Sequence, residues 1–254
     1  IPVAIIRATD DQGNYIKDAP TYYLLNGAGG SEQNTDWVAQ AFDKMYETYG
    51  RAGVNVVVPM EGAFSYYVDW AEEPPVENTY YKGKQMWSTF LAEELTGAVE
   101  PYLGANGRRA VAGLSMAATS ALLLAEHYRD TYDAVGSFSG CAATSTPVPW
   151  KFVDLTVSRA APGVMTPEPI FGKRGSEENR SKDALVNAGA LKGTAVYISN
   201  GTGLAGEGDM AGTLKEGLIK AGNDPAVASV VAGSNALTLQ VEGGAIEAAT
   251  NSCT

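Results

Sequence analysis

The run Gly113-Leu114-Ser115-Met116-Ala117 places a hydroxyl between two of the smallest residues. A serine oxygen attacks acyl groups when a sharp strand-to-helix turn presents it and a base takes its proton. Small residues on either side let the chain make that turn without a Cβ clash. In such an elbow the N–H of Met116 points into the same space as the serine oxygen and stabilises an oxyanion. A second donor must come from the loop after an earlier strand. Leu25-Asn26-Gly27-Ala28-Gly29-Gly30 has little side-chain bulk to block a backbone N–H there. The chemistry these residues point to is nucleophilic acyl transfer from Ser115.

The base is harder to find. His127 is the one histidine of the chain, twelve residues after Ser115. Along a helix rising about 1.5 Å per residue it stands roughly 16–18 Å away, out of reach of the serine. Its position reads as a helix C-terminus, where the dipole favours a histidine. Asp69-Trp70 fits either a sugar subsite or a structural loop anchor. Glu72-Glu73 and Glu93-Glu94 read as solvated charge. Cys141 and Cys253 fit one disulfide or two buried thiols. With no CxxC, no Cys/His cluster and no Asp-rich loop of calcium spacing, no metal site is expected.

Around these residues the elements alternate. Strands are expected at Val3-Ala4-Ile5-Ile6, Thr21 to Leu25, Val54 to Val58, Arg108 to Leu114, Asp133 to Phe138 and Thr194 to Ser199. Helices are expected from Asp36, an N-cap, through Tyr49, from Met86 to Leu103, and from Met116 to His127. An aromatic-rich loop fills 61–82, and 142–190, with its many prolines, reads as an irregular excursion after the fifth strand. A Gly-rich loop, a helix near 213–221 and another beginning at Ala245 complete the expectation. Alternation over the whole length predicts an α/β fold, a mostly parallel sheet with helices on both faces, in one domain spanning 1–254. The length of 254 residues suits such a domain. A net charge of −11 disfavours nucleic acid, and no stretch reaches the roughly 20 apolar residues of a membrane span. Thirteen tyrosines against six phenylalanines predict a wet, polar-aromatic surface. Ile1-Pro2-Val3 reads as a processed or trimmed beginning.

Several blocks in order resemble the mycolyltransferases, the antigen eighty-five complex of mycobacteria and, more closely, the corynebacterial mycoloyltransferases. They are Tyr22-Tyr23-Leu24-Leu25-Asn26-Gly27, Val57-Val58-Pro59 through Ser65-Tyr66-Tyr67-Val68-Asp69-Trp70, Trp87-Ser88-Thr89-Phe90-Leu91 with Glu94-Leu95, the serine block, and Val196-Tyr197 with Asn200-Gly201-Thr202. The resemblance implies a secreted, cell-envelope enzyme of α/β-hydrolase fold that uses no cofactor and lies peripheral to the mycolate membrane. It implies a mycolic acyl group taken from trehalose monomycolate onto Ser115 and passed to trehalose monomycolate, arabinogalactan or another envelope acceptor. The alternatives are a carboxylesterase of the same fold and a non-catalytic envelope protein. By position, Ala28 and Met116 match the oxyanion donors, and Glu247, with Glu242 as second choice, the triad carboxylate, while Asn26, Asp69 and Trp70 are the candidate substrate contacts. Secretion would oxidise Cys141 and Cys253 to a disulfide. The Asp and Arg that mycobacterial enzymes carry around the first oxyanion loop are Asn26 and Gly29 here, and 203–244 matches poorly. The family's histidine lies in a Gly-Thr-His-Ser-Trp block beyond the carboxylate helix. The sequence stops at Thr254 before such a block, so the domain is expected to be incomplete at its C-terminus.

Overall fold

A short valine-rich strand, β3 (Asn55–Pro59), is buried along its whole length, and the sheet is built around it and its neighbours. In this computed structural model residues 1–200 are described. They comprise the compact unit Ile1–Ser199 and the first residue of a second unit, Asn200–Cys253. The first unit holds a six-stranded sheet in the order β1-β3-β2-β4-β5-β6, with β1 (Val3–Ile6), β2 (Thr21–Leu25), β4 (Arg109–Leu114), β5 (Ala134–Phe138) and β6 (Ala195–Ser199). Only β1 is antiparallel, paired with β3, while β3, β2, β4, β5 and β6 run parallel.

Connections between parallel strands are right-handed. The crossover from β2 to β3 moves one way across the sheet, and those from β3 to β4 and β4 to β5 move the other, so their helices fall on opposite faces. Helix α1 (Trp37–Met45) covers one face, where Met45 packs with Leu24, Val56 and Val58. Helices α2 (Leu95–Leu103) and α3 (Met116–His127) cover the other, where Leu95, Val99 and Ala121 join Leu25, Val57 and Val111. Residues 24 and 25, or 56 and 57, thus feed different cores, as period-two alternation requires. This is the expected α/β architecture, with the expected strands shifted by a residue at most.

Two helices are less regular than their patterns. The segment expected to run through Tyr49 leaves α-geometry after Met45 and closes with a π-helical turn, Tyr46–Gly50. The segment expected over 86–103 begins with one turn, Trp87–Thr89, passes through a second π-helical stretch, Phe90–Glu94, and only then becomes α2. There the Thr96 hydroxyl donates to the carbonyls of Ala92 (2.8 Å) and Glu93 (3.2 Å).

The excursion after β5 is a folded cap. Its helix α4 (Pro147–Val157) begins on a proline, a residue suited to the first turn because it has no N–H to lose there. Asp183 ties the cap together by accepting from the N–H groups of Thr144 (2.9 Å), Ser145 (2.7 Å) and Val186 (3.1 Å). Contrary to expectation, many tyrosines are interior, with Tyr23, Tyr67, Tyr81 and Tyr132 among the largest fully buried side chains.

Candidate active site

Ser115 is the single residue between β4 and α3, and its backbone lies at φ 57°, ψ −119°. A non-glycine residue held there stores roughly 1–3 kcal/mol that its surroundings must offset. They do so from both sides. The Ser115 N–H donates to the Phe138 carbonyl (2.8 Å), extending the β4–β5 ladder into the turn, and its carbonyl accepts from the Ala118 N–H (3.0 Å). The turn tolerates no bulk. A Cβ on Gly113 would fall 2.1 Å from the Ala117 carbonyl oxygen, and one on Gly140 2.3 Å from the Ala118 Cβ. The Ser115 side chain does not cap α3, and the residue is exposed, which leaves its oxygen available.

The loop expected to carry the second oxyanion donor stands next to this turn because of register. Leu25, the last residue of β2, pairs with Gly113, so the chain leaves β2 beside the elbow. The position a Cβ would take on Gly27 is 3.7 Å from the Leu114 carbonyl oxygen. A Gly30 N–H to Gly27 carbonyl bond (3.0 Å) turns the loop, and the Ala28 carbonyl accepts from the Phe64 N–H (2.8 Å). Among the described residues neither the Ala28 nor the Met116 N–H has an acceptor. Met116 also opens α3, where the helix dipole favours negative charge. Because α1 and α3 lie on opposite faces, β2 and β4 flank a topological switch point, where crevices open at the carboxyl ends of a parallel sheet.

A third segment braces both Ala28 and Met116. Phe64, Tyr66 and Tyr67 have φ of 60°, 56° and 47°, three left-handed residues in a run of four. The Tyr66 N–H points at the Met116 sulfur (3.4 Å), and its carbonyl accepts from the Ser120 hydroxyl, one turn into α3. The Tyr66 ring meets Phe171 edge-on at 5.1 Å. Burial pushes its phenol up to about 12, so it stays a neutral hydroxyl and is no base. Sequence reasoning placed Tyr66 in an aromatic loop and did not mark Ser120. Positive φ at an aromatic residue leaves no compositional trace. A cavity of about 370 Å³ opens from Ser115 and Met116 along Tyr66 and Thr119 to Phe152 and Arg159.

A family model named Esterase matches residues 14–217. The chain belongs to the Esterase family. It is a relative of the mycolyltransferases. The diacylglycerol acyltransferase/mycolyltransferase Ag85A of Mycobacterium leprae is 29% identical over 216 residues, 81% of this chain and 62% of that protein. Ag85B of the same organism is 30% identical over 195 residues, 72% of this chain and 56% of that protein. The chain thus spans about three fifths of the length of the curated relatives it matches. The crystal structure of Mycobacterium tuberculosis MPT51 superposes with a TM-score of 0.65 at 21% identity, covering 100% of this chain and 93% of that one. The fold is that of an α/β-hydrolase.

Within this Esterase-family site, the three residues expected to contact substrate are engaged in holding the scaffold. Asn26 is fully buried, its amide donating to the Pro59 carbonyl (2.7 Å) and accepting from the Trp37 N–H (3.1 Å). It joins the ends of β2 and β3 to the start of α1. Asp69 accepts from the N–H (3.1 Å) and hydroxyl (2.6 Å) of Thr89, holding the start of the helical segment before α2. Trp70 is buried, donates from its indole to the Ser65 carbonyl (3.0 Å) and packs edge-on against Tyr81. The loop-anchor reading of Asp69-Trp70 is the one these bonds support. Their residue types fitted both readings, and only their bonding partners separate them. His127 is exposed at the last position of α3, as expected. Glu72, Glu73, Glu93 and Glu94 are exposed. No group of three metal-ligating side chains occurs among the described residues. Glu242, Glu247 and Cys253 lie outside the described residues, so the triad carboxylate and the partner of Cys141 belong to the proposal below.

Proposed function

We propose that the protein is a serine-dependent acyltransferase of the cell envelope, a mycolyltransferase acting on trehalose mycolates. The observation that carries this is Ser115 in its strained turn between β4 and α3, with the N–H groups of Met116 and Ala28 lacking acceptors among the described residues. Ser115 Oγ attacks the ester carbonyl carbon of the donor, and the carbonyl electron pair moves onto oxygen, where the two N–H groups hold it. As that intermediate collapses, the Ser115 proton passes through a base to the donor's sugar oxygen, which departs as the alcohol and leaves an acyl-serine. The hydroxyl of an acceptor, a second trehalose mycolate or arabinogalactan, then attacks the same carbon and releases Ser115. The chemistry needs no cofactor.

His127, the sole imidazole of the 254 residues, is too far along α3 to take the serine proton. Glu247, or Glu242, is proposed as the carboxylate that orients a base, and Cys141–Cys253 as the disulfide, within one domain over 1–254. A secreted location accords with that bridge, and no helix among the described residues is long and apolar enough to cross a membrane.

A serine-directed phosphonate tests the reading. Intact mass of the complete protein should show one adduct per chain, absent in Ser115→Ala, and an adduct that persists in the variant overturns it. No adduct in either protein points to the non-catalytic alternative. The exposure of Ser115 favours the esterase alternative as second reading, because water can reach an acyl-serine there. An acyl-trehalose donor offered with and without added trehalose separates the two by the ratio of transfer to hydrolysis.

A further inference from the structure

Six aromatic residues are exposed among the described ones, and four of them, Tyr15, Phe42, Tyr46 and Tyr102, line a single groove of about 440 Å³. They come from separate parts of the chain. Phe42 and Tyr46 stand one turn apart at the end of α1, Tyr102 is next to last in α2, and Tyr15 closes a small hairpin through its bridge to Thr9. The Asp10 carboxylate holds the turn of that hairpin by accepting from the N–H groups of Gln12 (2.9 Å) and Asn14 (2.8 Å). Arg7 lies between two of the rings, its guanidinium carbon 4.2 Å from the Tyr15 centroid and 5.7 Å from that of Tyr102. The groove follows the carboxyl end of β1, where Ile6 pairs with Val56 near the amino end of β3. It is therefore at the opposite end of the sheet from Ser115.

We propose that this groove is a second, non-catalytic binding site for a neutral oligosaccharide. A pyranose or furanose ring presents an apolar C–H face to an aromatic ring and hydroxyls to donors and acceptors around it. Arg7 offers planar donors beside the Tyr15 and Tyr102 rings, and the tyrosine hydroxyls supply both kinds of partner. A folded chain that leaves large rings in water at one place has a binding surface there. A lipid surface fits less well. The net charge of −11 opposes an anionic bilayer, and the groove contains a cation and phenol hydroxyls where insertion calls for a continuous apolar face. The site does not rest on the acyl-transfer reading, since no residue of the elbow contributes to it.

The test uses the whole chain carrying Ser115→Ala, so that failure of the catalytic proposal does not touch the result. Trehalose, an arabinofuranosyl oligosaccharide and vesicles of neutral phospholipid are titrated separately, with binding followed by calorimetry and by amide shifts of residues 5–15 and 42–46. One or both sugars should saturate at low-millimolar concentration. Tyr102→Ala and Phe42→Ala, both at exposed positions where folding is not at stake, should each weaken that binding about tenfold. Absence of sugar binding, sugar binding that neither substitution weakens, or vesicle binding that both abolish would each overturn the assignment.

Discussion

Helices α1 and α3 both follow a parallel strand, yet they begin in opposite ways. Helix α1 is approached by a loop and opens on Asp36, whose carboxylate accepts from the Ala39 N–H (2.9 Å). Helix α3 opens directly on Ser115, in a left-handed conformation and with no side-chain cap. The sources of stability differ accordingly. Helix α1 leaves most of its surface in water and depends on local chemistry, while α3 is buried from Met116 to Glu126 and is held by packing against β4 and β5. A helix secured by burial can leave its first N–H groups unbonded. That is the physical condition for an oxyanion site at its N-terminus.

The difference can be broken most severely at Ser115. Ser115→Ala should abolish phosphonate labelling and acyl transfer, a loss of several orders of magnitude by analogy with a protease serine. Ser115→Gly should be equally inactive yet gain on the order of 1 kcal/mol, read as a higher urea midpoint, because glycine relieves the positive φ. If both variants are destabilised, the turn is not strained. Gly113→Ala should come next. Its new Cβ would meet the Ala117 carbonyl, so the elbow must open, at a cost of about 1–3 kcal/mol in unfolding measurements and with labelling much slowed.

Glu126 sharpens the comparison at the other end of α3. Both of its carboxylate oxygens are buried with no hydrogen-bond partner among the described residues. Burial, with the nearby Asp183 carboxylate adding to it, pushes its pKa up to about 8. Because the folded value lies above the unfolded one, the protein binds an extra proton on folding. This contribution is complete below about pH 4.5 and is lost as pH rises through about 8. Glu126→Gln should leave the thermal midpoint near pH 5 almost unchanged and raise stability at about pH 9 by roughly 1–3 kcal/mol. Equal shifts at both pH values would show that Glu126 is not held neutral. The smallest effect belongs to α1, where Asp36→Ala should cost about 1 kcal/mol and leave the labelling rate of Ser115 unchanged.

What the sequence disclosed follows the same division. The elbow, α3 and its flanking strands were legible nearly to the residue, because Gly113, Ser115 and Ala117 are dictated by contacts within a few positions. Asp36 was legible as a cap for the same reason. The roles of Asn26, Asp69 and Trp70 were not. An amide, a carboxylate or an indole serves a sugar or a backbone equally well, and the choice depends on residues far away, such as Pro59 and Thr89. The prolines of 147–149 suggested irregularity, although at the first turn of a helix they favour it. Tyr66 and Ser120 escaped notice because their partnership exists only once the loop of 64–67 is folded onto α3.

The pairing of Leu25 with Gly113 has a consequence for how the protein reaches its working state. It is a contact between segments far apart in the chain, and such contacts close only after a large loss of loop entropy. A slip of one residue there would reverse which core each side chain faces and carry the Ala28 N–H about 3.3 Å away from the elbow. Chains with native-like secondary structure and an incorrectly aligned sheet would therefore be chemically silent. Reactivity of Ser115 thus serves as a clock for correct strand alignment during refolding, sensitive to errors that bulk helix content would miss.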